Sequence, residues 1–148
     1  MEIQEIKDKV NKAVDKLLVK DKSILDININ ERAISHRLAV YLGEEFPEWD
    51  VDCEYNRNHD DVKKLQLFPK NISSDELEAT SVYPDIIIHK RNTHHNLFVL
   101  EMKKSTSSID SHFDIQKIYA FRRELGYKLG LFLIIPMSNS GETEFQWY

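Results

Sequence analysis

The chain has 148 residues, with 25 Asp and Glu against 20 Lys and Arg, a formal charge of −5 and a single cysteine. That length suits one domain with a core of its own, and 41% hydrophobic with 30% charged residues excludes a disordered chain. One cysteine excludes an internal disulfide and most zinc frameworks; no apolar run approaches the roughly 18 residues that span a bilayer, and the opening MEIQEIKDK is too charged for a signal peptide, so a cytoplasmic protein without a membrane partner is expected.

Residues 2–20 place Ile3, Ile6, Val10, Val14, Leu17 and Leu18 at helical spacing, which predicts an amphipathic helix that covers the core or serves a homodimer. A second helix starts after Asn28 or Asn30 and runs through ERAISHRLAVYLGEEF until residues 43–47 stop it. Ile34, Leu38, Tyr41 and Leu42 form its buried stripe, and Glu31 continues that stripe toward the sheet. With Asn28 as the cap, Glu31 instead completes a capping box.

Residues 50–57 read as a strand with Val51, Cys53 and Tyr55 on one face and Asp52, Glu54 and Asn56 on the other. Cys53 is read as a small core residue and Glu54 as a solvated or ion-paired position beside the site. Residues 58–81 are long for an unstructured connection, so some order is expected there, KKLQLF as a short strand and SSDELEA as a helix start; Lys63 and Lys64 suggest phosphate contact, but a solvated loop is the favoured reading.

Residues 84–104, PDIIIHKRNTHHNLFVLEMKK, give two apolar strands at 86–88 and 97–100 joined by a polar loop, an antiparallel hairpin. If Lys90 pairs with Asn96, Asp85 lies opposite Glu101. Strand alternation then puts Lys103 on the same face. After the hairpin, Ser111 caps a helix with Asp114 at its third position; the helix buries Phe113, Ile118, Phe121 or Tyr119, and Leu125. LFLII at 131–135 is a strand covered on both faces, parallel to an earlier one, and residues 145–148 add an edge strand. The predicted fold is one α/β domain: a mixed sheet of four or more strands flanked by helices, with an accessory N-terminal helix (1–22), a core (28–136) and a tail (137–148).

An Asp, a Glu and a Lys gathered at the end of apolar strands call for a reason, because charge on such strands is costly unless paired or holding a metal. Two carboxylates with an open position suit Mg²⁺, which takes oxygen ligands and keeps several waters. A neighbouring lysine orients the attacking water and offsets charge growing on a phosphoryl group. Four glycines and no phosphate-cradling loop speak against nucleotide-fold readings, and His94 with His95 reads as a loop tip rather than a zinc site.

Pro84-Asp85 followed by Glu101-Met102-Lys103 resembles the motif of the PD-(D/E)XK nuclease superfamily, and the predicted order of helix, three strands, helix and strand is similar to its restriction-endonuclease-like core over residues 28–136. The resemblance implies a Mg²⁺- or Mn²⁺-dependent nuclease acting on nucleic acid, DNA rather than RNA. It implies Asp85, Glu101 and Glu31 as metal ligands and catalytic residues, with the Leu100 or the Met102 carbonyl completing the shell, and Lys103 as the catalytic lysine. Lys104, Gln116, Lys117 and His89 stand as substrate-binding residues. The charge distribution permits this: residues 1–80 carry 12 basic against 18 acidic residues, but 81–148 carry 8 against 7. Affinity for duplex should be modest and salt-sensitive. The alternative is a non-catalytic nucleic-acid- or protein-binding scaffold of the same fold, or a regulatory partner in a larger system.

Overall fold

A computed structural model describes residues 1–55, 57–58, 61–62, 64–65, 80–81, 83–138 and 141–148. Four helices, α1 (Ile3–Lys20), α2 (Lys22–Asp26), α3 (Glu31–Glu45) and α4 (His112–Leu125), flank a five-stranded sheet. In space the strands run β1 (Asp50–Cys53), β6 (Ile86–His89), β7 (Asn96–Lys104), β8 (Leu129–Ile135) and β9 (Glu144–Trp147). Every pair is antiparallel except β7 with β8, which are parallel and joined through α4. Two short ladders, β2 (Arg57–Asn58) with β3 (Asp61–Val62) and β4 (Lys64–Leu65) with β5 (Thr80–Ser81), lie between β1 and β6. Lys63 and the 73–79 helix start fall outside the described residues, as does most of KKLQLF; its Lys64 and Leu65 form β4.

Period-2 alternation divides the sheet into two apolar faces. Ile86, Ile88, Phe98, Leu100, Met102, Leu131 and Leu133 meet α1 and α3 in one core, while Ile87, Val99 and Phe132 meet Ile118, Ala120 and Phe121 of α4 in the other. The N-terminal helix spends its stripe inside the chain: Ile6, Val10, Ala13, Val14 and Leu17 are fully buried, which is the covering role, whereas Ile3 is largely exposed. Burial of that order is worth about 1.5–3 kcal/mol for each large side chain, so α1 is fixed by packing rather than by capping.

Several local expectations are corrected. Asn30, not Asn28, caps α3, its side chain accepting the Ala33 N–H at 2.9 Å, so Glu31 is the first helical residue and completes no capping box. Strand β1 ends at Cys53, because Glu54 turns into the left-handed region (φ 50°) and its N–H reaches the Pro84 carbonyl at 3.0 Å. Cys53 is consequently exposed on an edge strand rather than buried. The hairpin register holds for Ile86↔Leu100, Ile87↔Val99 and Ile88↔Phe98, then slips by one to His89↔Asn96, an irregularity that absorbs one residue at the loop end without touching the other end.

Candidate active site

Asp85 immediately precedes β6, after a buried Pro84 that has no N–H to lose at a strand start. The preserved register brings it against Glu101, in the middle of β7. Its Oδ2 accepts the Met102 N–H at 2.8 Å, which fixes the carboxylate on the sheet end. Glu101 lies 1% exposed on the α4 face, against the Asp85 carboxyl. Its counter-charge is Lys117 Nζ, 3.1 Å from Oε1.

Burial raises the Glu101 carboxyl well above its ordinary range, the Asp85 charge adds to the rise, and Lys117 opposes it. Asp85 is also raised, first by burial, against the pull of the Met102 N–H. Burial pulls Lys117 down, but the Glu101 and Asp85 charges outweigh it and leave the ammonium raised. Protons therefore favour the two acids and the lysine alike in the absence of another cation.

The two lysines stand beside the acids, and both are ion-paired. Lys103 does share the Glu101 face, yet its Nζ pairs with Asp114 Oδ2 of α4 at 2.8 Å. Asp114 makes no capping box, since Ser111 has a helical backbone and no side-chain cap bond. Instead its other oxygen lies 3.8 Å from Lys117 Nζ, so one carboxylate joins both ammonium groups. Asp114 was the residue that sequence reasoning missed. The signal was its i,i+3 spacing to Lys117, which puts the two on one helix face.

On the opposite side, a cleft of about 460 Å³ is lined by Glu31, Arg32, Ser35, His36, Cys53, Glu54 and Asp85. Glu31 reaches it from the first turn of α3 and its Oε1 accepts the Lys104 N–H at 3.3 Å, which ties the helix start to the end of β7. Asp85 thus lies between the cleft and the buried Glu101. Glu54 is paired with Arg32 at 3.2 Å on the rim, the ion-paired position expected of it. Cys53 is exposed as a residue, but its sulfur packs on the Ser35 carbonyl at 3.8 Å, and that desolvation, then the nearby acids, pushes the thiol up to about 11, so it is a poor nucleophile.

The remaining candidates separate. Lys104 is half-buried and by alternation points to the α3 face, away from Lys103. Gln116 is half-buried on α4, about 100° round the helix from Lys117. The side chain of Met102 is buried and its sulfur accepts the Ser35 hydroxyl at 3.1 Å. His89 is not brought to the site: it ends β6 roughly 13 Å from Asp85 by strand rise, its Nε2 2.7 Å from Asp52. Arg91 closes on the same Asp52 and the Tyr55 ring stands edge-on to His89 at 4.7 Å, a structural ion cluster.

Among the described residues no group of three or more His, Cys, Asp and Glu is arranged to hold a metal, and no helix is long and apolar enough to cross a membrane. The chemistry of the donors nonetheless fits one: Asp85 and Glu101 are abutting carboxyls, the oxygen donors that a hard divalent ion takes. Compared with known proteins, the chain matches no family model, no curated protein and no solved structure.

Proposed function

We propose that the chain is a divalent-metal-dependent nuclease of the PD-(D/E)XK kind, hydrolysing a phosphodiester of nucleic acid, DNA rather than RNA. The observation that carries this reading is the Glu101 carboxyl, 1% exposed and set against Asp85 at the end of the sheet. Two further features support it: the order α3, β1, β6, β7, α4, β8 follows helix, three strands, helix and strand, and Glu31 lines the cleft that Asp85 also lines.

Asp85 and Glu101 would hold Mg²⁺ or Mn²⁺, with Glu31 and the Met102 carbonyl as further donors. A bound ion supplies an activated water and neutralises charge on the phosphoryl group. Lys103 and Lys117 add fixed positive charge on the α4 side, where it offsets the charge of the transition state. The cleft along α3 admits the substrate, with Arg32 and His36 on its wall.

The test is incubation of the purified protein with single-stranded, duplex and branched DNA, and with RNA, in Mg²⁺, Mn²⁺ or EDTA. Cleavage in metal that EDTA stops, and that Asp85→Asn lacks, supports the reading. The paired state of Lys103, Lys117 and Asp114 favours a second reading, a scaffold that keeps the fold without turnover. Binding of nucleic acid with no cleavage in any metal selects the scaffold.

A further inference from the structure

Lys117 is held more firmly than a surface lysine. Its Nζ lies 3.1 Å from Glu101 Oε1, 3.8 Å from Asp114 Oδ1 and 3.4 Å from the Tyr83 carbonyl, and 5.7 Å from the centre of the Phe113 ring. Only 12% of the side chain is exposed. An ammonium so enclosed supplies the positive charge that the buried Glu101 faces.

The charges around it count the same way. The cleft and the ion pairs behind it hold five carboxylates, Glu31, Glu54, Asp85, Glu101 and Asp114, against Arg32, Lys103 and Lys117, a formal −2. One divalent ion balances it. A second would leave +2 in a largely buried site, and an uncompensated buried charge is expensive.

We propose that the Lys117 ammonium stands in the position of a second cation, so that the site takes one divalent ion, on Asp85 and Glu101, and not two. This rests on the metal-dependent reading above. Lys117 is thereby a competitor of the metal as well as its neighbour: it holds Glu101 in the free protein and repels an ion arriving beside it.

Calorimetric titration of the full chain with Mn²⁺ tests this without any turnover. The wild type should bind one ion. Lys117→Met, which keeps the bulk and removes the charge, should either take a second ion or bind the first about tenfold more tightly, the size of effect that removing one close like charge has on an ionic equilibrium. Lys117→Arg should restore the wild-type stoichiometry, and Lys117→Gln repeats the neutral substitution if Lys117→Met does not fold. Two ions bound by the wild type, or unchanged stoichiometry and affinity in the neutral variants, overturns the inference and leaves the metal-dependent reading standing. A folded wild type that binds no Mn²⁺ overturns both.

Discussion

The carboxylate of Asp85 accepts the backbone N–H of Met102 at 2.8 Å, one residue beyond the Glu101 it faces. The acid therefore has two jobs, closing the end of the β6–β7 ladder and presenting its second oxygen toward Glu101 and the cleft. Asp85→Ala and Asp85→Asn separate the jobs. Alanine orphans the Met102 amide, a cost of about 1–3 kcal/mol, although it also relieves repulsion with Glu101. Asparagine keeps an acceptor oxygen, so its stability in urea should stay near wild type. Both should lose Mn²⁺ binding. Equal stabilities for the two variants would show that the Met102 bond contributes nothing.

Lys103→Ala tests the lysine of the motif against the lysine of the helix. It frees one oxygen of Asp114 but leaves Lys117 on Glu101, so metal binding should be nearly retained. The cleavage rate should fall by about 10²–10³-fold, comparable to the loss of a donor that stabilises transition-state charge. Single-turnover cleavage at saturating Mg²⁺ measures this. A rate equal to wild type would move the catalytic role to Lys117.

Much of this site was legible because it depends on register and alternation. The pattern of residues 84–104 fixes which strand faces are apolar, and a one-residue slip would have turned Ile87 and Val99 to the wrong core, so the Asp85–Glu101 pairing followed from the sequence. Its limit was equally physical. Alternation says that Lys103 shares a face with Glu101, but not which long side chain reaches which acid, because α4 delivers Asp114 and Lys117 over that face by tertiary packing. His89 had the right parity and the wrong end of the strand. Asn28 and Asn30 were equivalent caps on paper; Asn30 took the position while Asn28, in the left-handed region, accepts the Thr106 hydroxyl at 3.1 Å.

The far ion cluster predicts a pH dependence away from the site. Asp52 is raised by burial but lowered more by its bonds to His89 and Arg91, and ends at about 2. Its folded value lies below the unfolded value of about 3.9, so the unfolded chain binds the proton more readily and the stabilisation is present above about pH 4. It is lost as pH falls from about 4 through about 2. Asp52→Asn should therefore be less stable than wild type at pH 7, and the gap should close across that window in urea titrations. A gap constant from pH 7 to 2 would assign the loss to packing rather than charge.

Gly130 controls how closely α4 approaches the sheet, and through it where Lys117 sits. A Cβ at this position in β8 would meet Ile118 Cγ2 at 2.3 Å, far inside contact distance, and Ile118 is fully buried with little room to yield. Ile118 is the residue next to Lys117 on the helix. Gly130→Ala should cost about 1–3 kcal/mol as an overpacked core and displace α4 outward. The displacement should draw Lys117 and Asp114 from Glu101, leaving that buried carboxylate with less counter-charge. The variant should therefore bind Mn²⁺ with a changed affinity even where it is fully folded, and Gly130→Ala combined with Ile118→Leu, which removes the clashing Cγ2 branch, should recover part of both stability and wild-type affinity. Denaturant unfolding and Mn²⁺ titration on the same samples decide it: a stable Gly130→Ala variant with unaltered binding would mean that the helix position does not set the charge at Glu101.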